Sequence, residues 1–389
     1  MAAITRQDNC IILNGRIDSS NSAAVEQEIQ SLLDGYTDAA LTVDAEGLEY
    51  ISSAGLRVLL RLRKRFSKLE IVNVRSEVYE IFEMTGFTEM IPISKAYRRV
   101  SVEGCEVIGQ GANGKVYRID PDTIVKVYYN PDALPDIHRE RELARTAFVL
   151  GIPTAIPYDV VRVGDGYGSV FELLNAKSFA KLIAADPDGF DGYVRQFVEL
   201  MEHIHATVVK PGIMPDMKAV ALDWADFLHD YLPEEAWQKL HDLIAAVPEQ
   251  LTMLHGDYHT KNVMLQNGEV ILIDMDTLCT GHPVFELASV YNAFCGFSEL
   301  DPGESMRFQG FPRETALAIW DKTLRLYFHT DDAAVLQERA EQAMLIGYTR
   351  LMRRTIRRKG LESEAGRRAI ECYRTHILEL LERVDTLVW

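Results

Sequence analysis

The sequence predicts an α/β domain over residues 1–98 followed by a larger α+β unit over 104–389. Three observations predict it. Short apolar runs and stretches of helical period alternate as β-α-β-α-β through the first hundred residues. A glycine-rich hairpin pattern at 107–119 then opens a β-rich stretch reaching about residue 176. Residues 178–250 and 285–389 are strongly helical in period. A chain of 389 residues also exceeds what one hydrophobic core usually organises.

Composition narrows the function classes. There are 58 acidic against 41 basic residues, a net charge of −17. General nucleic-acid binding is not expected, because phosphate backbones require positive counter-charge. The five cysteines have neither CxxC spacing nor an even count, which argues against a disulfide framework or a zinc site. The N-terminus lacks a charged segment followed by an apolar one, and no apolar run approaches the length of a membrane span. The expectation is a cytoplasmic protein with no membrane partner.

The elements follow in order. Cys10–Leu13 reads as a short strand ended by a turn at Asn14-Gly15. Ala24, Val25, Ile29, Leu32 and Leu33 recur at helical spacing behind Ser-Ser-Asn-Ser, a capping sequence. Ala40–Val43 and Leu69–Val74 read as buried strands. Leu56, Leu59, Leu60 and Phe66 line a helix between them, and Val78, Ile81 and Phe82 a shorter one stopping near Gly86.

Between these lies Leu48-Glu-Tyr-Ile-Ser-Ser-Ala-Gly-Leu-Arg-Val-Leu-Leu60, a strand edge entering a helix through Ser52-Ser53-Ala54-Gly55. A hydroxyl at Ser53 would cap the first turn, and a phosphate there would meet free backbone N–H groups. Here the chain resembles the STAS family, the anti-anti-sigma factors, whose phosphorylatable serine falls at Ser53. Gly15–Asp18 and the strand end at Asp44 also fit. The resemblance covers about residues 1–98 and implies a regulatory module with a protein partner. The Asp that usually precedes the serine is Ser52 here. Ser53 is therefore both a candidate phosphosite and a candidate helix cap.

The second unit opens with Val107-Ile-Gly109-Gln-Gly111-Ala-Asn-Gly114-Lys-Val116, a G-x-G-x-x-G-x-V pattern. A strand, Lys115–Ile119, follows the glycines where a dinucleotide fold would have a helix. The glycines thus lie in a hairpin that can approach nucleotide phosphates closely. In Asp122-Thr-Ile-Val-Lys126-Val-Tyr-Tyr129, one lysine interrupts a β-run, and Lys126 is expected to reach the phosphates. A helix over 136–150 offers Glu140 as the carboxylate that orients Lys126, with Glu142 as its rival. Tyr167–Leu174 reads as a strand entering a linker. Glu172 and Leu173 mark the place where backbone groups would receive adenine.

The chemistry concentrates in His255-Gly-Asp-Tyr-His-Thr-Lys-Asn262, the apolar run Val270–Ile273 and Asp274-Met-Asp276. Asp257 and Asn262 have the spacing of H-R-D-x-x-x-x-N, and Asp274 ends a strand as the Asp of D-F-G does. Phosphoryl transfer needs these types: an anionic group to orient a hydroxyl, and hard oxygen ligands for Mg²⁺. The arginine of H-R-D is Gly256 here, the glycine of D-F-G is Asp276, and no A-P-E follows. His-Gly-Asp-Tyr-His-x-x-Asn and Ile-Asp-x-Asp resemble the aminoglycoside phosphotransferase and choline kinase family over about residues 104–300.

That resemblance implies a bilobal protein kinase-like fold, with a small β-rich N-lobe (about 104–176) and a large helical C-lobe (about 177–389). It implies ATP and Mg²⁺ as cofactors, Asp257 as catalytic base, Asn262 and Asp274 as metal ligands, and Lys126 with Glu140 as the phosphate clamp. Glu286 stands where the family often has Asp, and His259 reads as a structural hydrogen-bonder. The implied acceptor is a hydroxyl of a small molecule, in this family often a cationic amine. The acidic stretches Asp223–Asp230 and Glu234-Glu235 could line a pocket for one, or simply lie on a helical surface. His203 and His205 read as core residues, and the basic run Arg350–Arg358 with Lys359 as a solvated helix face. A competing reading has the second unit phosphorylating a protein serine, Ser53 among the candidates, or only sensing nucleotide.

Overall fold

Strand–helix alternation in the first hundred residues builds a five-stranded sheet. In spatial order its strands are Ala3–Gln7, Cys10–Ile17, Ala40–Ile51, Lys68–Val74 and Ile93–Lys95. The computed structural model describes residues 3–111 and 113–389. The first pair is antiparallel and the others parallel. Helices Ser22–Leu32, Ser53–Arg65 and Ser76–Met84 supply Val25, Ile29, Leu56, Leu59, Val78 and Phe82 to a core with Ile11, Val43, Ile71 and Val74. Each such side chain withdrawn from water contributes roughly 1.5–3 kcal/mol before entropy is counted.

Three local expectations change. Asn14-Gly15 does not end a strand: Cys10–Ile17 runs through it, and register shifts on either side absorb the irregularity as a bulge. The strand expected at Ala40–Val43 extends to Ile51. The helix cap is Ser52, whose hydroxyl accepts from the Gly55 N–H at 3.5 Å; Ser53 is the first helical residue and is exposed. The capping role expected of Ser53 therefore belongs to its neighbour.

Contacts divide the chain into two units, 1–101 with 160–165, and 102–159 with 166–389. Within the first, Val161 and Arg162 pair in parallel with Arg98 and Arg99. The second unit begins with antiparallel strands in the spatial order Gly166–Glu172, Thr123–Tyr128, Gly114–Asp120 and Glu106–Gln110. Helix Leu134–Val149 comes between Thr123–Tyr128 and Gly166–Glu172 in the chain and buries Ile137, Glu140, Leu143, Ala144 and Ala147.

The rest of this unit is helical, with a small sheet of Lys177–Ser178, Val263–Gln266 and Glu269–Leu272. Its core gathers Phe179, Phe197, Tyr258, Phe294 and Tyr348 from segments far apart in the chain. The Tyr258 hydroxyl donates to the Phe197 carbonyl at 2.6 Å, which anchors the predicted catalytic loop to helix Phe190–Ala206. The architecture is the expected α/β domain followed by a unit with a β-rich first part and a helical second part.

Five free cysteines agree with the absence of a disulfide pattern. Among the described residues no helix is long and apolar enough to cross a membrane. His205 is buried, with Nδ1 2.7 Å from the Tyr327 hydroxyl, which fits the core role read from the sequence, whereas His203, two residues earlier on the helix, is exposed and has no such role.

His282 is also buried. Its Nδ1 accepts the Val284 N–H at 3.2 Å, and its ring stands edge-on to Trp389 at 4.6 Å. Burial, with the nearby His205, lowers its pKa to about 4. The unfolded histidine protonates near its ordinary value of about 6.5. The neutral-form preference therefore stabilises the fold fully above about pH 6.5, and is lost as pH falls towards 4. The urea midpoint should be lower at pH 5 than at pH 7.5, and His282→Gln should shrink that difference. An equal difference in the variant would show that other groups cause it.

Candidate active site

The glycine hairpin, the lysine strand and the catalytic loop come from separate elements. Gly114 starts a strand and pairs opposite Tyr128, where a Cβ would run into the Val127 carbonyl oxygen. Gly109 pairs opposite Val116, and Val116 in turn opposite Lys126. The Gly111 N–H closes the hairpin onto the Gly114 carbonyl at 3.0 Å. Asn113 reaches across from this loop, donating Nδ2 to Asp276 Oδ2 at 3.1 Å.

Lys126 is the hinge of the charge arrangement. Its Nζ lies 3.0 and 3.2 Å from the two Glu140 oxygens and 2.9 Å from Asp274 Oδ1. Burial opposes the ammonium, but the charges of Asp274 and Glu140 outweigh it and hold the lysine protonated well above its ordinary range. Glu140 is buried whereas Glu142 is exposed, so the geometry chooses between the two carboxylates. Tyr128, two residues along the lysine strand, donates to Glu140 Oε2 at 2.6 Å and lies 3.2 Å from the Ser169 hydroxyl. The period-2 alternation places Tyr128 on the face of Lys126, but no motif marks its role.

The expected adenine position is only partly open. Glu172 ends its strand opposite Thr123, and the Leu173 N–H is already bonded to the Asp122 carbonyl at 2.8 Å. An adenine would have to use other backbone groups of this linker.

The catalytic loop is fixed at several atoms. Glu286, fully buried in helix Val284–Phe294, accepts from the backbone N–H of His255 and, at 3.0 Å, from that of Gly256. Arg350 Nη1 donates to the Gly256 carbonyl at 3.0 Å and to the Ser289 hydroxyl at 3.1 Å. The basic run expected to be a solvated face thus sends Arg350 inward. Its i,i+3 neighbour Arg353 pairs with Asp223 at 2.7 Å. Gly256 has φ +81°, and a Cβ there would strike the Thr277 carbonyl oxygen. No side chain can replace it without moving the loop.

Asp257 and Asn262 project from this support. Asn262 Nδ2 donates to the Asp257 carbonyl at 3.0 Å, while the Asn262 carbonyl accepts from the Ile273 N–H at 2.9 Å. His259 Nε2 is 3.6 Å from Asp257 Oδ2, beyond a direct hydrogen bond. Burial raises the Asp257 pKa, but His259, Arg350 and His255 together hold the carboxyl well below the usual range. Asp274 sits at φ +64° and is partly exposed. Burial and the charge of Asp274 push Asp276 up to about 7.

The donor set suits a hard divalent cation. Asn262 has its amide nitrogen committed and its side-chain oxygen uncommitted, Asp274 offers carboxylate oxygens, and the crowding felt by Asp276 is what such an ion relieves. The acidic stretch expected near a cationic acceptor lies on an exposed helical surface, where Glu234 and Glu235 line a shallow cavity with Gln238, Lys239 and Asp242, and several of its members pair with neighbouring side chains. Besides Asp223, Asp226 lies 3.7 Å from His241, and Glu234 3.0 Å from His229.

The loop, the lysine pair and the kinase-like fold define a phosphotransferase of the kind that uses a bilobal scaffold. The chain belongs to the phosphotransferase enzyme family, whose model matches residues 104–317, and it carries a STAS domain at residues 1–100. Its first domain is 33% identical over 88 residues to BtrV of Bordetella bronchiseptica, a protein named as an anti-sigma factor antagonist; the match spans 22% of this chain and 75% of BtrV. In fold, the chain is similar to a thermostable mutant of aminoglycoside phosphotransferase APH(4)-Ia in apo form. The identity is 13%, over 72% of this chain and 94% of that one, at a TM-score of 0.50. A choline/ethanolamine kinase family protein from Mesorhizobium loti matches at 15% identity, over 72% and 88% of the two chains, with a TM-score of 0.45.

Two substitutions test the loop support. Glu286→Gln leaves one loop N–H without an acceptor and should lower kcat by about tenfold or more, with nucleotide affinity little changed. A wild-type kcat in that variant would remove Glu286 from the account. Gly256→Ala should destabilise the second unit by about 2 kcal/mol or more, read as an earlier denaturant midpoint. An unshifted midpoint would show that the loop yields.

Proposed function

We propose that the chain is a Mg²⁺-dependent kinase that transfers the γ-phosphoryl group of ATP to a hydroxyl of a small molecule. Residues 1–98 would serve as a regulatory module, 104–389 as the catalytic unit, and the cytoplasm as its place of work. The observation that carries the reading is Lys126 held between Glu140 and Asp274, with Asp257 and Asn262 on one braced loop.

In this reading Gly109, Gly111, Gly114 and Val116 form the cover over the phosphates, and Lys126, oriented by Glu140, offsets their charge. Asn262 and Asp274 would hold Mg²⁺, which when bound neutralises charge on the phosphate oxygens. Asp257 accepts a hydrogen bond from the acceptor hydroxyl. The hydroxyl oxygen forms a bond to the γ-phosphorus, the bond to the β–γ bridging oxygen breaks, ADP leaves, and the hydroxyl proton passes to Asp257. A carboxylate held so far below its usual pKa is a weak base. That suits a loose transition state, in which the proton leaves late and orientation matters most.

The similarity of the first domain to BtrV supports a protein partner there, and Ser53, exposed on the first turn of its helix, is the candidate phosphosite. The same exposure supports a second reading, in which the kinase-like unit phosphorylates a protein serine.

Asp257→Asn should leave Mg-ATP binding within about threefold of wild type and reduce turnover by about a thousandfold or more. ADP release and nucleotide titration measure both. Turnover that survives the substitution would move the base elsewhere. Phosphate appearing on Ser53 alone, with no small acceptor used, would favour the second reading.

A further inference from the structure

Beside the catalytic loop, around Lys261 and His259, lies positive charge that the proposed chemistry does not use. Lys261, one residue before Asn262, is exposed, and its Nζ stands 5.0 Å from the centre of the Phe308 ring. Phe308 packs edge-on against His259 at 5.1 Å and against Phe297 at 6.1 Å. The guanidinium of Arg354 lies 4.8 Å from the Phe297 ring centre. One helical turn earlier, Arg350 grips the Gly256 carbonyl. Two half-buried aromatic rings therefore form a floor beside His259, with a cation over each ring.

These cations are not neutralised. Among the described residues neither Lys261, Arg350 nor Arg354 has a carboxylate partner within ion-pair distance, whereas Arg353, on the next face of the helix, is taken by Asp223. The patch reaches the base through His259, which lies 3.6 Å from Asp257 and edge-on to Phe308, and Arg350 and Arg354 both act electrostatically on Asp257. In a chain of net charge −17, unpaired cations around one carboxylate are a local reversal. A cationic acceptor would meet like charge there, while an anionic one would find a planar guanidinium and an ammonium presented over an apolar floor.

Resting on the kinase reading above, we propose that the acceptor is a small hydroxylated anion. Arg354 and Lys261 hold its carboxylate or phosphate group, and its hydroxyl is directed to Asp257. The anionic group takes no part in the transfer; it fixes the distance and direction of the hydroxyl.

The test uses the full chain with Mg-ATP, coupled ADP release and product detection, on four acceptor classes: glycerol, choline and kanamycin, glycerate, and a pentose monophosphate. At least one anionic acceptor should be used with kcat/KM tenfold or more above glycerol and choline, and the better of the two identifies the head group. Arg354→Gln should raise KM for that acceptor by about tenfold or more, with kcat and ATP affinity nearly unchanged. Arg354→Lys should recover part of the loss, which a merely structural arginine would not predict. Preference for choline or kanamycin, absence of turnover on both anions, or an unchanged KM in Arg354→Gln overturns the inference and leaves the kinase reading standing if any acceptor is phosphorylated. A wild-type chain that fails to bind Mg-ATP overturns both.

Discussion

A carboxylate with no exposure to solvent holds the catalytic loop in place. Glu286 reaches the loop from helix Val284–Phe294 and takes up the N–H groups of His255 and Gly256. Burying such a group is costly unless its lone pairs are satisfied, and here the satisfying donors are the peptide groups that must not move. Arg350 and Ser289 take the carbonyl of the same Gly256, so the two successive peptides that flank its Cα are both fixed. Asp257 follows immediately, and its aim is set by those bonds more than by its own contacts. Glu286 delivers its charge to the loop on the long arm of a glutamate.

The parts of the site legible in the sequence were those whose chemistry dictates both residue type and spacing. On the proposed function, Gly114, Lys126, Asp257, Asn262 and Asp274 belong to this group, since the phosphate-binding hairpin, clamping ammonium and hard oxygen ligands that it calls for leave few alternatives. Glu140 and Glu142 were equally good on spacing, and burial separated them. Tyr128, Ser169 and Arg350 left no local trace because their roles depend on partners tens of residues away. The same limit explains Arg350–Arg358. A run of basic residues reads as one face, but a helix turns 100° per residue and distributes that run between interior and solvent.

In the first domain the alternation of strands and helices was clear, but its punctuation was not. Asn14-Gly15 has the composition of a turn, yet it sits between neighbours that pair on both sides, and pairing in the sheet overrides the local preference. Ser52 and Ser53 are chemically identical candidates for a cap. Only the backbone decides: Ser52 is extended, at ψ 173°, and its hydroxyl faces the Gly55 N–H, whereas Ser53 is already helical. Net charge misleads in a similar way. A chain-wide excess of acid says little about the field at one loop, where His259, Arg350 and His255 all act on Asp257.

The seat of Gly256 has a consequence for control. In protein kinases the residue before the catalytic Asp is an arginine that can read out a phosphate on a distant loop. The backbone at this position turns left-handed against the Thr277 carbonyl and has no volume for such a reporter. On the proposed kinase reading, the left-handed turn leaves no room for a phosphate-reading side chain beside Asp257, and control would fall to access of the two substrates or to the STAS domain.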